Sequence, residues 1–548
     1  MIIKTVITAL LVFGIFNAVN SQVTLDIKER PKPVPTFNFR KISANNDAIF
    51  NLGIDDKGPK SVYYIEKYNA ETLALEYQKD LKICADDKSA LVHPLFVPPV
   101  CFESNNQLLA FYCGYNEDDK KVSVNAKTTN AQGDVNSKYT TLISSKDIEV
   151  ALEGMYWNFI GFNKPVVSYY LSEDKKTIVI EIDSPKFKKI YSYTLSDLLA
   201  GKTEHKEFDI KAITETEKIV ISKCFFINNV ICFAYTKKLS PKSSDFGMAV
   251  LDSKTNTFQF KNLGLNVNEM FSLDFLANQS ANKIFVTGYL RYPINASKAV
   301  SIENSKVKPF NVHFNFTTMA FADKNEFDFV PSVAKFLSIP KTAYGFIDKE
   351  HTPDQYLENT ELIESPNFYY SISNLLFGRG PSPTALVPQV GGPAMAGGGV
   401  TTVSRDILIT KFDKTGKLIS QYLLPRHTGF NTFAGSRSGQ IFAFGNRQRN
   451  FNYGLKGDEL HFFYLDNKKN VFDQSVEYDP RNTAKCVVDN GALIHMSIKN
   501  DKIVREVLQE KDHKCYFYSG QSLMVKNAVI LDVESGKKDS ELGRVIIN

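Results

Sequence analysis

Arginine is concentrated in one short part of this chain. Of the 12 arginines, six lie between positions 379 and 449, whereas residues 41 to 290 contain none and use lysine instead. A guanidinium is a planar fork of donors that can bind a carboxylate, sulfate or phosphate through two parallel hydrogen bonds, which an ammonium cannot do. Arginine in a lysine-rich chain therefore predicts an anion-binding site in this part. The candidate ligand-binding residues are Arg379, Arg426, His427, Arg437, Arg447, Arg449 and Tyr453.

The arginines also have a structural interpretation. An arginine packed between two sheets can bind buried carbonyl or carboxylate groups of the protein itself. If residues 445 to 451 form a strand, alternation places Arg447 and Arg449 on the same side of it, where both could contact one ligand. Both interpretations remain open from the sequence.

Catalytic motifs are absent from the sequence. It contains no H-E-x-x-H, no P-loop and no G-x-S-x-G, and the nearest string, GSRSG, has Arg437 where the nucleophile would stand. The eight histidines are scattered, and the Asp- and Asn-rich turns lack the pattern of a calcium loop. We therefore predict no metal site and no cofactor, and we favour a non-enzymatic protein over an enzyme.

A β-hairpin motif recurs along the chain. It consists of a β-type run, a polar turn and a second β-type run, and copies begin at Ile65, Val124, Val250, Lys411 and Phe463. Four strands with moderate loops would fill the intervals between successive outer turns, which is typical of a propeller blade. The sequence predicts an all-β fold, a β-propeller of seven or eight four-stranded blades, with a propeller plus β-sandwich as the alternative. The predicted outer turns lie near Asn69, Gly133, Gly201, Lys254, Asn325, Gly416, Lys468 and Gly536.

The N-terminus indicates export. Residues 1–21 combine Lys4, a short apolar run and small residues before Gln22, which is typical of a secretory signal peptide cleaved near Ser21. The apolar run is shorter than the ~20 residues needed to cross a bilayer, and no later segment is long enough, so we expect no transmembrane segment. The predicted location is secreted, periplasmic or at the cell surface.

Three further boundaries follow from composition. Residues 22–50 contain Pro31, Pro33 and Pro35 and are predicted to be an extended lead-in, and residues 51–548 to be the propeller. An irregular Gly/Pro-rich insertion is predicted at about 341–402, with a helix starting at Thr352–Pro353–Asp354. The C-terminal run from Leu542 to Ile547 is predicted to be a last strand, completing a blade that the N-terminal segment begins.

Charge and cysteine content exclude two classes of protein. The net charge of +5 comes from 65 basic and 60 acidic residues, without the concentrated basic stripe of a nucleic-acid-binding protein. Seven cysteines in 548 residues are too few for a disulfide scaffold. We interpret them as buried small hydrophobic residues, with at least one thiol outside any intramolecular pair.

Parts of the sequence resemble the secreted propeller-repeat proteins of Bacteroidetes-type bacteria. The resemblance lies in the short signal peptide ending Ser21–Gln22 and in the segments IEKYNAETL and DILITKFDKTGKLISQYLLPR. It extends over about a tenth of the chain and implies a propeller fold, but it implies no function for any residue.

Two functions are consistent with these patterns. The first is an exported, non-enzymatic binding or scaffolding protein of the cell envelope, whose partner is an acidic glycan, a peptide or an envelope protein. The alternative is an extracytoplasmic hydrolase or lyase acting on an anionic polymer held by the arginines. An enzyme should place paired carboxylates or a histidine beside the arginines in one deep pocket, whereas a binding protein should present a broad, shallow surface.

Overall fold

The computed structural model of the protein is rich in β-structure. Strands contain 73% and helices 6% of the residues that it describes, in keeping with the abundance of Val, Ile, Phe and Tyr. The prediction of an all-β fold is confirmed. The described residues are 23–29, 40–44, 47–55, 62–83, 90–91, 100–104, 107–116, 118–130, 132–136, 138–148, 167–172, 175–183, 188–227, 230–240, 243–252, 257–265, 269–278, 281–293, 305–337, 354–378, 400–424, 426, 428–432, 451–467, 469–472, 491–499, 501–508, 513–514, 523–535 and 540–548.

The strands form eight antiparallel sheets, and these are the blades of an eight-bladed β-propeller. Every described strand belongs to one of the eight sheets, so the alternative with a separate β-sandwich is wrong for the described part of the chain. Stacking the sheets around an axis covers both faces of each blade, which no single small sheet could achieve.

Strand β1 (Val23–Glu29) precedes blade 1 and belongs to blade 8. Blade 1 contains β2 (Arg40–Ala44), β3 (Ala48–Asp55), β4 (Val62–Asn69) and β5 (Leu75–Asp80). Blade 2 contains β6 (Ala90–Leu91), β7 (Val100–Ser104), β8 (Gln107–Asn116), β9 (Lys121–Thr128) and β10 (Thr140–Ser145). Blade 3 contains β11 (Val167–Leu171), β12 (Thr177–Asp183), β13 (Lys188–Thr194) and β14 (His205–Asp209), with helix α1 (Leu195–Leu199) in its last turn. Helix α2 (Lys211–Glu217) leads to blade 4, which contains β15 (Ile219–Ile227), β16 (Val230–Ser240), β17 (Ser243–Asp252) and β18 (Thr257–Asn262).

Blade 5 contains β19 (Glu269–Asn278), β20 (Lys283–Pro293), β21 (Ser305–Asn315) and β22 (Ala320–Glu326), and is followed by helix α3 (Pro331–Leu337). Blade 6 contains β23 (Asp354–Glu364), β24 (Phe368–Gly378), β25 (Val400–Asp413), β26 (Leu418–Leu424) and β27 (Thr428–Thr432). Blade 7 contains β28 (Phe451–Lys456), β29 (Glu459–Asn467), helix α4 (Lys469–Phe472), β30 (Gly491–Lys499) and β31 (Lys502–Val507). Blade 8 contains β32 (His513–Lys514), β33 (Leu523–Val525), β34 (Ala528–Ser535), β35 (Ser540–Ile547) and β1.

The two faces of the ring differ in the turns that they carry. Because successive strands are antiparallel, the turns between the first and second and between the third and fourth strands of a blade share one face, which we call the lower face. The other connections lie on the upper face. Four of the predicted outer turns are at the lower face, between the third and fourth strands of their blades: those near Asn69, Gly133, Gly201 and Gly416.

Two of the other predicted outer turns are wrong. Asn325 lies inside β22, because the turn of blade 5 is at residues 316–319. The connection that follows Asn467 joins the second and third strands of blade 7 at the upper face, so the outer turn predicted near Lys468 is on the wrong face. The error at Asn325 arose because polar residues on the exposed outer strand β22 resemble turn residues in sequence. Lys254 and Gly536 lie outside the described residues.

The ring is closed by pairing the two ends of the chain. Strand β1 pairs antiparallel with β35, with Val23 opposite Ile547 and Asp26 opposite Arg544. The predicted last strand is therefore confirmed, and so is its pairing with the N-terminal segment. The predicted start of the propeller at residue 51 is too late, because residues 22–50, predicted as an extended lead-in, contain β1, β2 and the start of β3. The pairing of β1 joins residues more than five hundred positions apart, so no local pattern reveals it.

The irregular insertion predicted at 341–402 is wrong for residues 354–378. These residues form the antiparallel pair β23 and β24, joined by a turn in which the Ser365 hydroxyl accepts a hydrogen bond from the backbone N–H of Phe368. The helix predicted to begin at Thr352–Pro353–Asp354 is also wrong, because Asp354 is the first residue of β23. The alternating apolar residues of the pair outweigh a local helix signal, because their burial in the blade is the larger effect. Residues 379–399 lie outside the described part.

The blades pack through apolar residues that alternate along each strand. In β29, Phe462 and Tyr464 pack against blade 6, whereas Phe463 packs against blade 8. The four described cysteines, Cys101, Cys113, Cys224 and Cys232, are all buried, as their interpretation as small hydrophobic residues predicts.

Lysine occupies several turn positions that suit glycine better. Lys120, exposed in the turn between β8 and β9, has φ of 52°, in the left-handed region. We expect Lys120→Gly to raise the free energy of unfolding by about 0.5–1 kcal/mol, because glycine avoids the steric cost of that conformation. Lys121→Gly, one residue later in β9, is the control and should destabilise the protein. Chemical denaturation measures both, and equal effects of the two variants would contradict the prediction.

Candidate functional site

The upper end of blade 6 brings together the ends of three strands. Gly378 of β24 lies opposite Thr402 of β25, and Val400 of β25 lies opposite Thr432 of β27. The segments 379–399 and 433–450 therefore leave the blade from neighbouring strand ends. Four of the predicted ligand-binding arginines lie in these two segments, outside the described residues. The four are Arg379, Arg437, Arg447 and Arg449. His427, between β26 and β27, is also outside the described residues, so the roles of all five stay predictions.

Arg426 is fully buried just after β26. Its backbone N–H donates to Oδ1 of Asp406 at 3.0 Å, and its Nη2 donates to Oδ1 of Asn374 at 3.4 Å. Asp406 and Asn374 are themselves 0% exposed, on β25 and β24. Arg426 thus ties the chain leaving β26 to two strands of its own blade. In this position its guanidinium contacts the protein interior, so direct contact with an external ligand stays a prediction.

Tyr453 links the first strands of two blades. It lies on β28, and its hydroxyl donates to Oε1 of Glu361 on β23 at 3.2 Å. Its side chain is half-buried. Its hydroxyl is therefore engaged between blades 6 and 7, and a role in ligand binding stays a prediction.

A buried group of polar residues lies between blades 6 and 7, and we call it the 6–7 cluster. Alternation along each strand places the blade 7 members of the cluster on the side of that blade that faces blade 6. Tyr464 on β29 packs against blade 6, and so do the half-buried residues two positions before and after Arg505 on β31. On α4, Asn470 donates to Oδ1 of Asp466 at 2.9 Å. The members of the cluster are Asn374, Asp406 and Arg426 from blade 6, and Tyr464, Asp466 and Arg505 from blade 7.

The charged members of the cluster act on Tyr464, which is 0% exposed. Burial raises the pKa of Tyr464 to about 12; the Asp466 carboxylate adds to this increase, and the guanidinium groups of Arg505 and Arg426 oppose it. Tyr464 is therefore a neutral phenol at physiological pH and can donate a hydrogen bond. The sequence did not point to Tyr464, Asp466 or Arg505 as site residues, because none of them lies within the arginine-rich residues 379–449. The only sequence signal for these residues is that each alternates with apolar residues along its strand, which predicts a side chain facing a neighbouring blade.

A second buried polar group lies on the opposite side of blade 7. Nδ1 of His461 and Nε2 of His495 are 3.0 Å apart, and Nδ1 of His495 is 2.8 Å from Oε1 of Glu506. Both rings are 1% exposed and they stack with an interplanar angle of 3°. Burial, and then the neighbouring His495, Lys456 and Lys499, lower the pKa of His461 to about 3. This histidine pair faces blade 8, because Phe463, which stacks on His495, packs against that blade.

Within the described ranges, no three His, Cys, Asp or Glu side chains are placed so that they could hold a metal ion. No helix among the same residues is both long and apolar enough to cross a membrane.

Comparisons with known proteins identify no family. No protein-family model matches the chain, and no curated protein matches its sequence.

Solved structures with similar folds are propellers of diverse proteins. The WD40 domain of SCAP from fission yeast has a TM-score of 0.37 and 8% identity, over 96% of this chain and 99% of that one. The β-propeller domain of the Trilobed protease from Pyrococcus furiosus has a TM-score of 0.32 and 8% identity, over 71% of this chain and 97% of that one. TolB from Acinetobacter baumannii has a TM-score of 0.26 and 9% identity, over 95% of this chain and 96% of that one. At these identities and TM-scores, none of the similarities carries an argument about the ligand or activity of this chain.

Proposed function

We propose that this chain is an exported, non-enzymatic binding or scaffolding protein of the cell envelope, and that the upper face of blade 6 binds an acidic glycan. The observation that carries the proposal is the neighbouring position of the strand ends at Gly378, Val400 and Thr432. Two arginine-bearing segments of the sequence follow directly on Gly378 and Thr432.

The chemistry of arginine supports an acidic ligand. Each guanidinium can bind a carboxylate or sulfate by two charge-assisted hydrogen bonds, and several together distinguish an anionic polymer from a neutral one. The closed ring provides a rigid base for these segments, as propellers and other β-scaffolds do for binding loops. Buried Arg426 holds the chain just after β26 to the same blade through Asp406 and Asn374.

Export is supported by the sequence and by the position of the first strand. Cleavage near Ser21 would remove the predicted signal peptide. Strand β1 begins at Val23, so this cleavage would leave the strand that closes the ring whole.

A double substitution tests the binding proposal. We expect Arg447→Lys with Arg449→Lys to weaken binding of an oligogalacturonate about tenfold, or ~1.4 kcal/mol, because lysine keeps the charge but lacks the fork. Isothermal titration calorimetry measures the affinity, and thermal unfolding shows whether the ring is intact. Lys417→Gln, an exposed change at the lower face of the same blade, is the matched control and should bind like the wild type.

Three results would contradict the proposal. One is that the wild type binds neither this ligand nor a second acidic glycan. Another is that the double variant loses thermal stability and keeps its affinity, since the arginines would then be structural. The third is shortening of the oligogalacturonate during incubation, which would favour the alternative, a hydrolase or lyase acting on an anionic polymer.

A further inference from the structure

One β-hairpin at the lower face of the ring carries an N-glycosylation sequon. Asn315, Phe316 and Thr317 have the order Asn-x-Thr, in which an oligosaccharyltransferase recognises the asparagine. Asn315 is the last residue of β21, and the turn to β22 follows it directly. Because β21 and β22 are the third and fourth strands of blade 5, this turn lies on the face opposite the proposed ligand site.

The side-chain amide of Asn315 is held by its oxygen and not by its nitrogen. Its Oδ1 accepts from the backbone N–H of Thr317 at 2.9 Å and from that of Thr318 at 3.1 Å. Its Nδ2 forms no hydrogen bond within the described ranges and is not among the buried polar atoms there. Both threonines are exposed. A sugar attached to Nδ2 would therefore leave the turn without breaking a hydrogen bond of the fold.

A second sequon in the same blade has the opposite surroundings. Asn278, in the order Asn-Gln-Ser, is the last residue of β19. Its Nδ2 donates to Oε1 of Glu364 at the end of β23 at 3.1 Å, and Lys414 of blade 6 donates to the same oxygen at 2.8 Å. Asn278 is thus half-buried in the contact between blades 5 and 6. A glycan on its Nδ2 would need space that blade 6 occupies. The third sequon, Asn295-Ala-Ser, lies outside the described residues.

We propose that Asn315 carries an N-linked glycan in the exported protein and that Asn278 does not. In the transfer, Nδ2 of Asn315 forms a bond to the anomeric carbon of the first sugar and loses one proton. The bond from that carbon to the phosphate of a glycosyl diphospholipid donor breaks, and the diphospholipid leaves with the electron pair. The transferase acts on the chain before it folds, so the fold does not need to present Thr317 to it. A chain with a glycan on Asn278 would not form the contact between blades 5 and 6.

The inference rests on the proposed export, because the transferase and its donor meet the chain in a secretory membrane. The resemblance to bacterial propeller-repeat proteins implies a fold and assigns no secretory pathway. A glycan is bulky and hydrophilic, so it keeps the turn that carries it in solvent. The lower face of blade 5 is then not covered by a protein partner, and the upper face is left for binding.

Production of the full chain in a eukaryotic secretory host tests the modification. Secreted protein is treated with peptide N-glycosidase in heavy-oxygen water, which converts each glycosylated asparagine to a labelled aspartate, and peptide mass spectrometry locates the label. We expect the label at Asn315 and an unmodified Asn278. A second arm replaces residues 1–21 by the signal peptide of the host. Secretion in the second arm alone would contradict the proposed export, whereas the label at Asn315 is still read there.

Three variants assign the glycan to its sequon. Thr317→Ala keeps Asn315 but removes the hydroxyl of the sequon, so it should abolish the label at Asn315. Thr317→Ser keeps a hydroxyl at this position and should retain the label. Thr318→Ala is the matched control, because it changes the neighbouring exposed threonine of the same turn and leaves the sequon intact. It should be labelled like the wild type.

An unmodified Asn315 in protein secreted with the host signal peptide would overturn the proposal. A label that persists at Asn315 in Thr317→Ala would overturn it too, and a labelled Asn278 in the folded, secreted protein would contradict the argument from blade 6. Thr317→Ala also loses the hydrogen bond that Nδ2 of Asn282 donates to the Thr317 hydroxyl at 2.6 Å. If this loss prevents secretion, the label of the wild type decides, since it is read at Asn315 directly.

Discussion

Arg544→Gln should lower the free energy of unfolding by about 2–3 kcal/mol, because it removes charge-assisted hydrogen bonds at the closure of the ring. Nε and Nη2 of Arg544 donate to Oδ2 of Asp26 on β1 at 3.2 and 3.0 Å, and Nη1 donates to the carbonyl of Ala70 in blade 1 at 3.2 Å. One side chain thus joins both ends of the chain and the neighbouring blade. Urea denaturation of the full chain measures the loss.

A double-mutant cycle identifies the pair responsible. Asp26→Asn alone should cost less than Arg544→Gln, because the bond to Ala70 remains, and the double variant should cost less than the two single changes added together. Lys79→Gln is the control, since its pair with Asp134 is exposed on both sides and should contribute at most about 1 kcal/mol. Strict additivity of the Arg544 and Asp26 variants would show that the two ends are held by the strand pairing alone.

Acid should destabilise the protein between pH 6.5 and pH 4.5 because of the buried His461. Its folded pKa is lowered to about 3 from an ordinary value of 6.5, so the unfolded chain takes up a proton in this range and the folded chain does not. The stability that the neutral ring contributes is complete above pH 6.5 and is lost as the pH falls. Because unfolding lets this one group take up at most one proton, it changes the free energy of unfolding by at most ~1.4 kcal/mol per pH unit. The charged and titratable groups around the ring are His495, Glu506, Glu459, Lys456 and Lys499.

His461→Gln should flatten this pH dependence, because glutamine does not titrate. His313, whose pKa is also lowered by burial, acts in the same direction, so part of the slope should remain. His205→Gln, on the exposed strand β14, is the control and should leave the slope unchanged. Denaturation midpoints measured at several pH values would contradict the prediction if His461→Gln and the wild type had the same slope. Carboxylates with lowered pKa values, such as Asp501, act mainly below this range.

Patterns with a short period in the sequence predicted most of the fold. Alternating apolar residues around Asn69, Gly133 and Gly416 predicted hairpins at the correct face, because a turn and its strands are encoded by neighbouring residues. The pair β23–β24 was missed because the signal at Thr352–Pro353 is local, whereas the burial that outweighs it comes from other blades. The last strand was predicted because β35 is apolar enough to need a partner.

The candidate site was harder to predict from the sequence than the fold. The cluster of arginines drew attention to the upper end of blade 6, and Arg426 does lie there, but facing inward. Arg505 and Tyr464 are 41 positions apart and lie on different strands, and only the order of strands in blade 7 brings them to one surface. His461 and His495 meet for the same reason. Contacts between strands depend on register, which composition does not reveal.

The closure of blade 8 has a consequence for how the molecule is made. The partners Asp26 and Arg544 are separated by 518 positions, so β1 stays without this partner until β35 has been synthesised. Contacts this distant in sequence form slowly, and chains with unpaired strand edges aggregate while they wait. A chain lacking β35 would keep an open edge on the outer side of blade 8. The ring can therefore close only after β35 has been synthesised.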